Sequence, residues 1–324
     1  MAKSEQEPAA AAIRRTLPEL ESHAASLETS PGWIKRDAPI FWPEPHSSFR
    51  PAHWRYAPIR AALDDAARLV DLSLAERRIL ALRNPFPGNN FATTHTLSCA
   101  YQLMLPGELA STHRHASHAL RVMLDARGTW SIVDGVRMPM ETGDIVLTPG
   151  GCWHGHGHDG DAPACWLDGL DIPLTHLLEP MFFEPHPDRH MPATSATEVS
   201  PYRFRASDIA RRLDAANVHP EGLHGARIVL EAPQVPSMGL AVERLTSSQR
   251  TRRQRSTASR CFVVMSGAGT TLVGDARFDW TMGDTIAVPG WVWYEHQATA
   301  DTQLFELSDE PLMRMCNYLR HEVG

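Results

Sequence analysis

Two stretches decide the reading of this chain. They are Gly107-Glu108-Leu109-Ala110-Ser111-Thr112-His113-Arg114-His115 and Gly143-Asp144-Ile145-Val146-Leu147-Thr148-Pro149-Gly150-Gly151-Cys152-Trp153-His154. In a strand, residues two apart point to the same face, so His113 and His115 look the same way. The hairpin signal Asp134-Gly135 lies between the stretches. It returns the chain so that a further strand can bring His154 alongside. An isolated histidine is usually a surface residue or a satisfied core residue. Three of them, set behind glycines at fixed spacings, read as a metal-ligand set with one side of the ion left open.

Short strand-like runs surround these stretches: Tyr101–Leu105, Leu120–Leu124, Thr129–Val133 and Ile145–Thr148. A similar series follows at Gly239–Leu245, Cys261–Met265, Thr270–Val273 and Thr285–Val288, with Gly274-Asp275 as its turn. The pairs Gly143-Asp144 and Gly283-Asp284 are offset by 140 positions, and so are Pro149-Gly150 and Pro289-Gly290. A common offset of two signatures means a duplicated unit. In the second copy Gln254-Arg255-Ser256 replaces His113-Arg114-His115, and Tyr294 replaces His154. That copy offers no imidazole set, so one metal per chain is expected.

Four segments result: 1–94, an arm and helices; 95–183, a first metal-binding barrel; 184–226, a linker; and 227–324, a second barrel without the metal. Residues 1–57 carry proline, charge and exposed-looking aromatics (Trp33, Phe41, Trp42, Trp54, Tyr56) and are expected to have little regular structure. Ile59, Leu63, Ala66, Ala67 and Val70 recur at helical spacing. Ser73-Leu74-Ala75-Glu76 reads as a capping box opening a second helix through Leu82. The linker is expected to carry a short helix near Ile209–Leu213.

Composition excludes several classes. The chain has 324 residues, 43% hydrophobic and 21% charged, enough for two ordinary domains. Its formal charge of −7 argues against a nucleic-acid partner. The five cysteines are odd in number and lack close pairing, which fits a reducing compartment. No apolar run reaches the ~18 residues of a membrane span. A cytoplasmic enzyme with no membrane partner is the expectation.

The motifs carry a resemblance to the cupin superfamily. The segments AERRILALRNP (75–85), YQLMLPGELASTHRHASHALRV (101–122), VDGVRMPMETGDIVLTPGGCWHGHGHDG (133–160) and WLDGLDIP (166–173) resemble the bicupin ring-cleaving dioxygenases. That group acts on gentisate, salicylate and 1-hydroxy-2-naphthoate. The resemblance implies a mainly β fold, two tandem double-stranded β-helix (jelly-roll) barrels with N-terminal helices and arm. It implies a homotetramer with Fe(II) on His113, His115 and His154. The partners would be a small aromatic acid and O2. The substrate would chelate the iron through its carboxylate and ortho hydroxyl, and the ring would open between the carbons bearing them.

By the same resemblance, Arg121 and Arg77 interact with substrate, and Gln102, His156 and Asp168 lie near it; Arg78 is the alternative to Arg77. An arginine suits a carboxylate because it offers two parallel hydrogen bonds. His156 has the chemistry to take the phenol proton, and Asp168 to orient His156 or an arginine. Cupins often carry a glutamate four or five residues after the second histidine; here Ala119 and Leu120 stand there. His118 and His158 are assigned no role in the site. Relatives often have a bulky aromatic where Ser98 stands and glycine where Ala100 stands. The resemblance therefore implies a gentisate 1,2-dioxygenase-like activity, and those two residues add the expectation that a substituted salicylate, such as a 5-nitro- or halosalicylate, is handled at least as well as gentisate; an ordinary gentisate dioxygenase is the alternative. The competing readings are a metal-dependent isomerase and a cupin that only binds a ligand.

Overall fold

The computed structural model describes residues 16–34, 40–71 and 77–324. Two units are treated separately, 1–44 and 45–324. The first contains helix Leu17–Ser26, opened by Thr16, whose side chain accepts from the Glu19 backbone N–H while Glu19 reaches back to the Thr16 N–H. The expectation of an arm without regular structure is corrected here. Trp33, Phe41 and Trp42 are at least half exposed on the single chain.

In the second unit, helix Tyr56–Leu69 follows the helical spacing, with Leu63 buried. The expected second helix is not found: Ser73–Glu76 lies outside the described residues, and Arg78–Ala81 is a strand paired with Ser98–Met104. A run of four residues beside an available strand edge gains ladder hydrogen bonds that a single helical turn cannot match.

The remainder forms two barrels, each of two facing sheets. In the first, one sheet runs Arg203–Phe204, Ile145–Thr148, Ala119–Asp125, Ala164–Leu170, Ser98–Met104, Arg78–Ala81. The other runs Phe183–Pro185, His113–His115, His154–His158, Thr129–Val133, Val136–Met140, Ser195–Ala196. The stretch 184–226, expected as a linker, thus adds short strands to the first barrel, and then helix Ala206–Asp214. The second barrel repeats this plan with Gly239–Leu245, Arg260–Ser266 and Thr302–Ser308 at the centre of its larger sheet. Strand Ala52–Trp54 closes one edge of that sheet.

The sheet of the first barrel that contains Ser98–Met104 meets the six-stranded sheet of the second back to back. Cys99, Tyr101, Leu103, Leu120, Val122 and Leu167 share one core with Leu240, Val242, Cys261, Val263, Phe305 and Leu307. The alternate residues Met104, Met123 and Trp166 fill the interior of the first barrel. Tyr101 crosses the seam, its hydroxyl 2.5 Å from the Gly283 carbonyl and 2.7 Å from Thr285 Oγ1.

The two Gly-Asp corners do the same work. Gly143 and Gly283 have φ of +87° and +89°, a region open to glycine at little cost. Asp144 accepts from the backbone of Glu141 and Ala206. Asp284 accepts from the backbone of Thr281 and Tyr56. At Gly283 an added Cβ would sit 2.4 Å from the Tyr56 ring, whereas at Gly151 (φ +81°) it would meet nothing within 4 Å. Gly283→Ala is therefore expected to lower unfolding free energy by about 2–4 kcal/mol and Gly151→Ala by about 1 kcal/mol. Denaturant midpoints of the two variants check the difference.

Candidate metal centre and substrate pocket

His113 and His154 are direct register partners on neighbouring strands, and His115 lies two residues along on the same face. Their ring centroids are 4.3, 4.8 and 5.5 Å apart. One ligand atom from each falls within 4.8 Å of the others. Backbone carbonyls orient all three rings. Nδ1 of His113 lies 3.1 Å from Ser111 O, that of His115 2.8 Å from Ser117 O, and that of His154 3.1 Å from Cys152 O. A carbonyl only accepts, so in each neutral ring Nδ1 holds the proton and Nε2 keeps a lone pair. Nε2 of His154 is buried without a partner.

Burial, aided by Arg77 and Arg121, holds His113 down to about 3, and burial holds His115 down to about 4 and His154 well below its ordinary value. All three are neutral at pH 7, the form that binds metal. Three converging imidazole lone pairs with no internal proton to share fit a divalent cation. Among the described residues this is the one cluster of its kind.

Beside the cluster lies a cavity of about 250 Å³. Arg77, Ser98, Ala100, Arg121 and Asp168 line it together with His113 and His115. Its remaining wall is apolar: Ile79, Ala81, Phe91, Leu170, Ile172 and Phe183. Sequence reasoning missed these apolar residues. Phe183 stacks on His113 with ring centroids 4.9 Å apart. The choice between the two arginines is resolved. The Arg77 guanidinium lies 2.8 and 3.0 Å from the ring nitrogens of His113. Arg78 turns away to Glu108 and the Val70 carbonyl.

Arg121 is buried, 3.3 Å from Asp168 and 2.7 Å from Thr148 Oγ1. Asp168 also accepts from Trp166 Nε1 at 3.1 Å. Asp168 thus contacts Arg121 and Trp166, and it makes no hydrogen bond to His156. Burial raises the Asp168 carboxyl and lowers the Arg121 guanidinium, and each partner offsets part of the other's cost. Arginine does not give up its proton in proteins, so the Asp168 carboxyl always faces a cation. His156 and Gln102 are buried but lie outside the cavity lining. Both ring nitrogens of His156 are without partners, and its ring lies 5.9 Å from that of His154. His118 Nδ1 accepts from the Gly150 N–H, and His158 bridges the Gly160 N–H and Ala162 carbonyl, so both serve the backbone.

Comparison with known proteins agrees with this geometry. Residues 100–170 match the Cupin domain family. A gentisate 1,2-dioxygenase of Aquipseudomonas alcaligenes is 31% identical, covering 95% of this chain and 97% of that protein. A 5-aminosalicylate 1,2-dioxygenase of a Comamonas species is 32% identical, covering 94% and 89%. The crystal structure of a salicylate 1,2-dioxygenase from Pseudoaminobacter salicylatoxidans, with gentisate, superposes with a TM-score of 0.86 at 27% identity, over 97% of this chain and 96% of that one. Fold and site together define a two-barrel cupin oxidoreductase that opens aromatic rings. The chain belongs to the gentisate/salicylate 1,2-dioxygenase family. These relatives favour oxygenation over the isomerase and passive-binding alternatives.

Two outcomes follow for the metal. Reconstituted protein should hold one metal per chain, matching its single cluster. His113→Ala/His154→Ala should lose it, while Gln254→Ala/Tyr294→Phe keeps it; elemental analysis decides. In the metal-free protein the depressed histidines favour the folded state fully above the ordinary histidine value near 6.5. That contribution is lost as pH falls toward 3–4, because the unfolded chain takes up protons first. His113→Asn/His115→Asn should flatten the fall in stability by up to about 1.4 kcal/mol per pH unit for each histidine.

Proposed function

We propose that the protein is an Fe(II)-dependent dioxygenase that cleaves a 5-substituted salicylate between the carboxylate-bearing and ortho-hydroxyl-bearing carbons. The observation that carries this reading is one cavity lined by two guanidiniums and two of the three imidazoles, with a flat apolar wall opposite. Bound iron would supply a coordination point for the substrate's ortho oxygens and for O2, together with the redox chemistry of ring opening.

The chain's own residues do the rest. Arg77 and Arg121 supply positive charge where a carboxylate would enter, and Asp168 and Thr148 hold Arg121 in place. Ile79, Phe91, Leu170 and Phe183 clamp the ring and exclude water. For the phenolic proton the proposed acceptor is His156, whose two nitrogens are unmatched; it lies behind the cavity lining and burial makes it a weaker base than a free imidazole, so the transfer needs the substrate's proton to be relayed to it. Gln102, two strand positions from Ala100, supports the same face from behind.

The side of the cavity formed by Ala81, Ser98 and Ala100 is built of small residues. Ser98 is buried, with only a long 3.5 Å contact from its hydroxyl to the Leu170 carbonyl. This leaves room and one polar group beside the ring. Relatives named for gentisate and 5-aminosalicylate carry their extra group at the same ring position. Nitro- and halosalicylates place a larger group there, and an electron-poor ring would depend more on positioning. The reducing cytoplasm and a homotetramer remain part of the proposal. Exposed Leu177, Leu178 and Phe182 support association with further copies.

Oxygen uptake by iron-loaded protein tests the reading on gentisate, salicylate, 5-aminosalicylate, 5-nitrosalicylate and 5-chlorosalicylate. A 5-substituted salicylate should match or exceed gentisate in kcat/KM. Ser98→Trp should reverse that order with iron content unchanged. A strong preference for gentisate that survives Ser98→Trp removes the substrate assignment, and no uptake on any member removes the reaction. Arg121→Gln should lower kcat/KM about ten- to a hundredfold, the loss of one charge-assisted contact. Values within twofold of wild type would place the carboxylate elsewhere.

A further inference from the structure

The second barrel contains a cavity of about 340 Å³. Strand register shows that it stands where the substrate pocket stands in the first. Gln254 pairs with Tyr294 as His113 pairs with His154. Ser308 pairs with Arg260 as Leu170 pairs with Ala119, so Arg260 takes the place of Ala119 and Glu306 that of Asp168. Arg227 pairs with Glu243 as Ile79 pairs with Gln102. His321 pairs with Ser256 as Phe183 pairs with His115. Glu310 opens the helix after the last barrel strand, as Ile172 does. The mouth has been kept and its chemistry inverted: the apolar wall Ile79, Ile172, Phe183 has become Arg227, Glu310, His321.

Arg260 is fully engaged. It donates to Glu306 at 3.0 Å, Ser256, the Ala258 carbonyl and Glu310 at 2.7 Å. It is a built-in cation and holds the strands where the other barrel uses a metal. Arg227 differs. It reaches Glu306 at 2.9 Å through one terminal nitrogen, and its Nε is buried without a partner. His296, at the place of His156, also leaves Nε2 buried and unpartnered. Buried polar atoms are nearly always paired, so this cluster has bonding capacity that the chain does not use. The cavity wall carries three guanidiniums (Arg227, Arg260, Arg314) against two carboxylates (Glu306, Glu310). His224 is held neutral by burial, at about 4. The lining alone carries one positive charge in excess, and the Glu243 carboxyl behind Arg227, pushed up to about 7 by burial, offsets part of it.

We propose that the second barrel binds a small aliphatic carboxylate, without a metal, through Arg227 and the histidines at its mouth. A guanidinium offers the fork that a carboxylate fits. An aromatic acid is disfavoured, because its ring would cover polar wall groups without pairing them. The site is independent of the ring-cleaving centre and of its substrate.

Calorimetric titration of maleate into the iron-loaded full-length protein, with benzoate as comparator, tests the proposal. Maleate should bind saturably, one per chain, and at least tenfold more tightly than benzoate. His113→Ala/His154→Ala should leave this binding intact. Arg227→Ile, which restores the first barrel's residue type, should raise Kd at least tenfold while ring-cleavage kcat is unchanged. His321→Phe lies on an edge strand whose loss the core would survive, and it should weaken binding even if Arg227→Ile fails to fold. No saturable binding in the millimolar range, binding unaffected by either substitution, or binding lost with the first-barrel histidines would each overturn the assignment.

Discussion

Everything in the second unit hangs on the two-residue alternation of three strands buried on both faces. Along Ser98–Met104, Ala119–Asp125 and Ala164–Leu170, one set of side chains enters the seam between barrels and the other set enters the first barrel. A slip of one residue would put Arg121 and Asp168 into the seam and Val122 and Leu167 into the cavity. The register cannot drift without burying charge in an apolar layer. The seam is therefore what aims Arg121 and Asp168 into the cavity.

The metal centre depends on the same rigidity at shorter range. Its ligands come from two strands paired at one point, and three backbone carbonyls choose the tautomer of each ring. Those carbonyls sit two residues before the ligand in His113 and His154 and two after it in His115. The spacing motifs therefore encode the orientation of the imidazoles as well as their position. In the second motif the Pro149-Gly150-Gly151 turn delivers the Cys152 carbonyl as well as the His154 side chain.

The histidine cluster, both barrels and the repeat were legible in the sequence because each follows from period two or from turn chemistry, whereas Arg121 entered through the family resemblance. Three things were not. Arg78–Ala81 read as helix because a short apolar run does not distinguish a strand from a helical turn, and only the edge of Ser98–Met104 decides it. The partner of Asp168 was ambiguous because reach across neighbouring strands is set by register, which fixed Arg121 opposite it. The apolar wall of the pocket draws Phe91 and Phe183 from outside the regular strands of the motif, where no periodicity announces a shared surface.

One feature of the Gly-Asp corner of the second barrel bears on how the chain is made. Asp284 receives the backbone of Tyr56 and the imidazole of His53 across a separation of 228 and 231 residues. Strand Ala52–Trp54 accordingly leaves the ribosome long before its partner, Thr285–Val288, and must wait for it. Until then it is an unpaired edge, and so is the strand that awaits it. Such distant pairings are slow to form and expose sticky edges while they wait. Synthesis that stalls before the second barrel is complete would release a chain with its first barrel formed and an open strand preceding it, a form prone to associate through that edge.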